Sequence, residues 1–159
     1  MIVLNSNCDE VGCEAGSPQE RWLREDLAAK GAACSLAYWH SPRFSSGRHG
    51  DAPKMTALWQ ALYDAEVELA ISGHDHDYER FAPQDAAGGL DRERGIRQFV
   101  VGTGGRLAYS LLTPEPNREV RATDVFGVLK LTLAPGSYGW EFVPVAGGTF
   151  TDAGTEACH

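Results

Sequence analysis

Two histidines separated by a single residue are the part of this sequence best suited to chemistry. They occur in Gly73-His74-Asp75-His76, directly after an apolar run over residues 67–71. Because side chains alternate along an extended backbone, both imidazoles would point to the same side. Neutral imidazole is the commonest metal ligand in proteins. The motif therefore predicts a metal-binding position at the end of a strand.

A third histidine extends this prediction. His40 follows a second apolar run, over residues 34–39. If both runs are parallel strands of one sheet, their carboxyl ends meet at the edge where α/β proteins build their sites. We therefore predict His40, His74 and His76 as metal ligands.

Three further side chains are candidates for contacts with a substrate. His49, in the loop after His40, is predicted as a catalytic proton donor or a phosphate contact, although a solvent-exposed loop histidine fits the sequence equally well. Arg43 and Arg80 are predicted to bind and neutralise an anionic substrate. A surface or structural salt bridge is an equally good reading of each arginine.

The elements that must position these residues follow a β-α-β-α-β order. Ser17-Pro18 with Glu20 is typical of a helix start. Apolar residues recur with helical spacing at 55, 58, 59 and 62. This order favours parallel strands with right-handed crossovers, and hence an α/β fold. Residues 125–133 and 138–145 predict an antiparallel hairpin. We expect one domain portion over residues 1–145 and a surface tail over 146–159.

Composition narrows the function classes. The chain has 159 residues, a formal charge of −8 and 43% hydrophobic residues, which is typical of a folded domain. No basic stripe is present, so a nucleic-acid platform is not expected. No apolar stretch approaches the roughly 20 residues of a membrane helix. The first five residues lack the basic start of a signal peptide and resemble a strand, so we expect the chain to begin inside a domain.

Four cysteines, at positions 8, 13, 34 and 158, lack the Cys-x-x-Cys spacing of zinc ribbons and redox sites. Their even number fits disulfides in an exported protein, and buried free thiols are the weaker alternative. Four cysteines allow three pairings, among which the sequence does not choose.

Three sequence segments resemble calcineurin-like metallophosphoesterases, in the branch of the purple acid phosphatases and their bacterial relatives. These segments are Ala37-Tyr38-Trp39-His40-Ser41-Pro42, Gly73-His74-Asp75-His76 and Asp77-Tyr78-Glu79-Arg80-Phe81. The resemblance is to the carboxyl-terminal half of the family's domain and covers most of residues 1–145.

The resemblance implies a four-layered α/β/β/α sandwich with two metal ions at the carboxyl edge of its sheets. In the family, the histidines that match His40 and His74 bind one metal, and the histidine that matches His76 binds the other. Zinc, manganese and iron are all used. The implied reaction is hydrolysis of a phosphoric ester, with a metal-activated hydroxide attacking phosphorus. Substrates would be phosphoester small molecules or phosphoproteins, and the parent protein would be secreted.

The sequence also departs from the family pattern. An Asp-x-His, a Gly-Asp-x-x-Asp and a Gly-Asn-His-Glu motif precede the matching region in the family, and none of them occurs here. This chain supplies three ligands for a binuclear site. We therefore expect a fragment that is weakly active or inactive alone and that self-associates through an exposed apolar surface.

Two other functions fit the same histidines. Three histidines with an open fourth position are the ligand pattern of a mononuclear zinc enzyme. A non-catalytic metal-binding module that kept the scaffold is the other. Metal stoichiometry would separate these alternatives.

Overall fold

The computed structural model describes residues 1–29, 33–106 and 114–159. Its strands and helices alternate in the first half of the chain, and strands alone follow. In chain order they are β1 Ile2–Val3, α1 Cys8–Val11, α2 Pro18–Ala28, β2 Leu36–Tyr38, α3 Thr56–Asp64, β3 Leu69–Ser72, β4 Tyr78–Phe81, β5 Arg97–Val101, β6 Arg118–Ala122, β7 Gly127–Ala134, β8 Ser137–Pro144 and β9 Ala153–Ala157.

Six strands form the first sheet, in the order β1-β2-β3-β5-β4-β6. The pairs β1–β2, β2–β3 and β3–β5 are parallel, whereas β4 runs antiparallel to both β5 and β6. The predicted parallel β-α-β-α-β unit is therefore confirmed. As a result, β1, β2, β3 and β5 all end at one edge of the sheet.

Helices α2 and α3 pack on one face of this sheet. The Ser17 side chain accepts a hydrogen bond from the Glu20 N–H at 3.2 Å, so the predicted helix start is confirmed. Leu23 from α2 and Trp59 from α3 are fully buried in the same apolar cluster. Their burial, together with strand residues such as Ala37, attaches the helical layer to the sheet.

The second sheet covers the other face. Strands β7, β8 and β9 pair antiparallel in that order, and β7–β8 is the hairpin predicted from the sequence. Tyr138, Trp140 and Phe142 point inward from β8 and bury against Tyr78 and Phe99 of the first sheet. The described layers are thus helices, sheet and sheet, and the predicted α/β class with an antiparallel hairpin is confirmed.

Residues 146–159, predicted as a surface tail, contain strand β9. The sequence of β9, Ala-Gly-Thr-Glu-Ala, has no apolar alternation, so the strand was not visible in the hydrophobic pattern. Long-range contacts hold it instead. Glu156 accepts hydrogen bonds from Arg97 Nε at 2.9 Å and from the Tyr138 hydroxyl at 2.6 Å.

All four cysteines form disulfides, in one of the three possible pairings. Cys8 pairs with Cys13 across the short helix α1. Cys34 pairs with Cys158 and joins the segment before β2 to the end of β9. The second bond links the two sheets across most of the chain. No helix in the described ranges has the length and apolar character needed to cross a membrane.

Candidate functional site

Two histidine rings meet where β2 and β3 end. The Gly73 N–H donates to the His40 carbonyl at 3.0 Å and ties the two strand ends together. The rings of His40 and His74 lie edge to face, with centroids 4.8 Å apart. His74 Nδ1 is 2.9 Å from His40 Nε2, so one of these nitrogens donates a proton to the other.

His74 does not lie in extended backbone. Its φ is 68°, in the left-handed region that non-glycine residues rarely adopt. The Asp75 N–H also donates to the Gly73 carbonyl at 2.8 Å, which makes a tight turn. The extended geometry predicted from the sequence is therefore wrong at this position. Even so, His74 and His76 both line the same cavity.

His49 completes the group of imidazoles. Its ring lies over His74, with centroids 4.2 Å apart. The backbone N–H of His49 donates to Asp75 Oδ1 at 2.9 Å, and the Ser45 hydroxyl donates to Asp75 Oδ2 at 2.5 Å. At Gly47 a side chain would overlap the Asp75 carboxylate. The loop that carries His49 is therefore hydrogen-bonded to Asp75 and packs directly against it.

Beneath the histidines lies a group of three buried acids: Asp75, Asp77 and Glu79. Glu79 Oε1 accepts the Ser46 N–H at 2.8 Å. Neither carboxylate oxygen of Asp77 has a hydrogen-bond partner in the part of the chain that the structure describes. Burial and then the neighbouring Glu79 and Asp75 raise the pKa of Asp77 to about 7. Asp75 and Glu79 therefore hold the backbone of the loop that carries His49.

The ring nitrogens of His40 and His74 are of a type that binds metal ions. Burial first, and then the neighbouring His49 and His40, lower the pKa of His74, which favours the neutral, metal-binding form. Two nitrogen ligands of a tetrahedral ion lie about 3.3 Å apart, so the pair at 2.9 Å has to open only slightly. Within residues 1–29, 33–106 and 114–159, no three histidine, cysteine or acidic side chains form a group that could hold a metal ion.

A cavity of about 480 Å³ opens above the histidines. All four imidazoles line it, together with the glycine-rich run after β5 and Arg106. Arg106 was not predicted from the sequence as a site residue. Its signal was its position directly after Gly102-Thr103-Gly104-Gly105 at the carboxyl end of a strand. That edge is where the first sheet also brings the histidines.

Arg43 and Arg80 do not line this cavity. Arg43 is buried, donates to the Ala86 carbonyl at 3.2 Å and lies over the Phe44 ring at 4.3 Å. Arg80 Nε donates to Asp152 Oδ2 at 2.8 Å, between the two sheets. These contacts are with other parts of the fold, and the predicted part of the two arginines in substrate binding stays a prediction.

Sequence comparison links the chain to phosphatases. It is 37% identical to purple acid phosphatase 21 of Arabidopsis thaliana over 76 residues, which are 44% of this chain and 17% of that protein. Over 156 residues it is 29% identical to probable purple acid phosphatase 20 of the same plant, covering 89% of this chain and 35% of the relative. An uncharacterized Mycobacterium tuberculosis protein is 28% identical over 130 residues, 67% of this chain and 25% of that protein.

The chain thus spans about a third or less of the length of these relatives. No family model matches it. Among solved structures, a purple acid phosphatase from yellow lupin seeds has the same fold, with a TM-score of 0.83 at 20% identity, over 98% of this chain and 30% of that one. The predicted metallophosphoesterase sandwich is therefore confirmed. In sequence and fold, the chain is a relative of the carboxyl-terminal part of calcineurin-like metallophosphoesterases of the purple acid phosphatase type.

Proposed function

We propose that this chain is part of a metal-dependent phosphoric ester hydrolase in which His40, His74 and His76 are metal ligands. The observation that carries the proposal is the convergence of ring nitrogens from two strand ends, His40 Nε2 and His74 Nδ1, at 2.9 Å. His76 lines the same cavity. The similarity to purple acid phosphatases supports the same class of reaction.

Each side chain has a distinct part in this proposal. His40 and His74 hold one ion, and His76 belongs to a second. Bound zinc, manganese or iron ions supply a nucleophilic water at neutral pH and neutralise phosphoryl charge. His49 lies over His74 and faces the cavity, where it can hold a phosphate oxygen or give a proton to the leaving group. Asp75 fixes the backbone of His49.

We further propose that the remaining ligands come from an amino-terminal half that this chain does not contain. The chain covers 17% to 35% of its purple acid phosphatase relatives, which supports this view. Strands β1 and β7 are edge strands, and both expose apolar side chains: Val3 is 54% and Leu133 is 59% exposed. Such edges favour pairing with further strands or with a second copy. We expect the isolated chain to self-associate in sedimentation experiments.

Export of the parent protein is part of the same proposal. Disulfides form and persist in oxidising compartments. Both bonds in this chain join segments that the fold brings together, and Cys34–Cys158 spans 124 positions. Two such bonds support an extracellular location for a phosphatase of this type.

The test is titration of the chain with Zn²⁺ or Mn²⁺ by calorimetry. We expect weak binding, below one equivalent, because part of the ligand set is absent. His74→Ala should weaken it about tenfold or more, whereas His159→Ala, a histidine outside the cavity, should leave it unchanged. One tightly bound ion per chain would instead favour a mononuclear enzyme.

The activity is tested in a longer chain that carries the amino-terminal half. There, His74→Ala should reduce hydrolysis of a phosphomonoester by about a hundredfold or more, in line with the loss of a metal ligand. Metal binding that does not change in His74→Ala, with unchanged hydrolysis, would overturn the proposed function.

A further inference from the structure

We propose that Arg106 binds a phosphate oxygen of the substrate in the histidine cavity, an inference that rests on the proposed function. Arg106 lines the cavity, and no carboxylate side chain is among the described lining residues. It is exposed, and it makes no hydrogen bond or ion pair with any part of the chain that the structure describes. Among the described residues, no partner therefore competes with a ligand for its guanidinium.

This availability is unusual in so acidic a chain. The net charge is −8, and most arginines with known contacts are paired with carboxylates. Those pairs involve Arg24, Arg43, Arg80, Arg92, Arg94, Arg97 and Arg118. Arg106 lies instead among four imidazoles. A cavity lined by an arginine, with no acid among its described lining residues, is suited to an anion.

The loop that carries Arg106 is anchored at its base. The Gly102 N–H donates to the Asp77 carbonyl at 2.9 Å, and a side chain at Gly102 would overlap the Asp75 carbonyl. Thr103 is 2% exposed, and its hydroxyl donates to the Gly127 carbonyl at 2.8 Å. The Gly127 N–H donates back to Thr103 at 3.1 Å. The loop is thus fixed to the histidine turn and to the second sheet.

Beyond this anchor the loop keeps its inner side open. Among the described residues, a Cβ at Gly104 or Gly105 would meet no atom within 4 Å. Gly105 has a φ of 125°, a conformation that side chains disfavour, and it turns the chain immediately before Arg106. Arg106 thus follows this turn directly, is exposed and lines the cavity.

Arginine is well matched to phosphate. Its planar fork donates two parallel hydrogen bonds to phosphoryl oxygens and stays charged at every relevant pH. The histidines at the sheet edge line the same cavity as Arg106. Phosphate held by ions at the histidines would keep its remaining oxygens for Arg106. We therefore assign Arg106 to substrate binding, not to metal binding.

The experiment measures binding of inorganic phosphate to the intact chain by NMR titration, without and with added Zn²⁺. We expect saturable binding that Arg106→Gln weakens about tenfold, the usual loss for a charged hydrogen bond. Arg106→Lys should weaken it less, because the charge remains. Arg21→Gln, on the exposed face of α2, removes the same charge elsewhere and should have no effect.

Two results would overturn the inference: phosphate binding that is equal in wild type and Arg106→Gln, or an equal loss in Arg21→Gln, which would indicate an effect of net charge alone. Zn²⁺ binding separates this failure from failure of the proposed function. If Arg106→Gln binds phosphate normally while His74→Ala loses the metal, only the role of Arg106 is refuted. If wild type and His74→Ala bind Zn²⁺ equally, the metal-dependent function is refuted.

Discussion

Charged groups are arranged very differently at the histidine cavity and at the contact between the two sheets. At the sheet contact, Arg97 is 3% exposed, and Nη1 donates to Glu119 Oε2 at 2.6 Å and to the Phe81 carbonyl at 2.8 Å. Glu156 binds the other side of the same guanidinium. Arg80 and Arg97 both lie over the Trp140 ring, at 5.1 Å and 5.3 Å.

At the cavity the opposite holds. Two of the four imidazoles, His40 and His49, are exposed, and Arg106 has no carboxylate partner in the described ranges. Beneath them, Asp77 is buried with both oxygens lacking hydrogen bonds from described residues. The charged groups at the sheet contact are paired with one another across two layers, whereas Arg106 and Asp77 have no such partners among the described residues. The contrast distinguishes Arg80 and Arg97, which are paired at the sheet contact, from Arg106, for which we propose a role in binding.

The largest effect should come from breaking the saturated network. Arg97→Met removes the shared partner of Glu119 and Glu156, and we expect the free energy of unfolding to fall by about 3–5 kcal/mol. Urea unfolding monitored by tryptophan fluorescence measures it. The control is Lys130→Gln, which breaks an exposed ion pair with Glu141 within the second sheet. It should lower the free energy of unfolding by less than about 0.5 kcal/mol. Equal losses of unfolding free energy in Arg97→Met and Lys130→Gln would contradict the larger contribution that we assign to the Arg97 pairs.

The next largest effect concerns the backbone beneath the cavity. At Gly102 a Cβ would overlap the Asp75 carbonyl, so Gly102→Ala must move the loop or the histidine turn. We expect a loss of about 3 kcal/mol in unfolding free energy, at the upper end for overpacking. Gly104→Ala is the matched control in the same loop, because its Cβ would meet no atom of the described residues within 4 Å. A stable Gly102→Ala variant would show that this contact is not tight.

These two regions also differ in how far the sequence predicted them. Local signals in the sequence were enough to predict three features. Apolar runs predicted the strands that end near His40 and His74, a capping residue predicted the helix start at Ser17, and a turn predicted the β7–β8 hairpin. Such signals act within a few residues of the chain. They were sufficient to bring two ligand candidates together correctly at one edge of the sheet.

Features set by distant contacts were beyond the sequence. Strand β9 lacks an apolar pattern and depends on Cys34–Cys158 and on Glu156 binding Arg97. The place of Arg106 depends on the Thr103 anchor at Gly127, 24 residues away. The left-handed backbone of His74 likewise depends on how the glycine-rich loop and the His49 loop pack around the turn. Alternation along one strand contains none of this information.

The pH dependence of stability should reflect the sheet contact. Burial alone would raise the pKa of Asp152, but hydrogen bonds from Arg80 and Tyr78 outweigh burial and hold that pKa below its usual value. The unfolded chain has an aspartate pKa of about 3.9. The stabilisation is therefore complete above about pH 4 and is lost as the pH falls through the lower, folded pKa. We expect acid to remove about 2 kcal/mol, the size of a charged hydrogen bond.

Thermal unfolding between pH 6 and pH 2 measures this dependence. Asp152→Asn should be less stable at pH 6 and should lose less stability on acidification than wild type. Asp9→Asn is the control, because Asp9 pairs with Lys54 on the surface and its side chain is 79% exposed. If the stability of Asp152→Asn falls with pH as steeply as that of wild type, Asp152 does not cause the acid sensitivity.

The smallest expected effect tests how the cavity region holds its loop. Ser45 is 2% exposed, and its hydroxyl donates to Asp75 Oδ2 at 2.5 Å and accepts the Gly47 N–H at 3.0 Å. Ser45→Ala leaves a buried carboxylate with one donor fewer, so we expect a loss of about 1–2 kcal/mol. The loss should be local, because the layers are held elsewhere. Hydrogen exchange at the Gly47 and His49 amides should accelerate about tenfold, with the β8 amides unchanged. Ser137→Ala, at the start of β8, should change neither set, and equal acceleration in both regions would mean that the cavity and the sheet contact unfold as one unit.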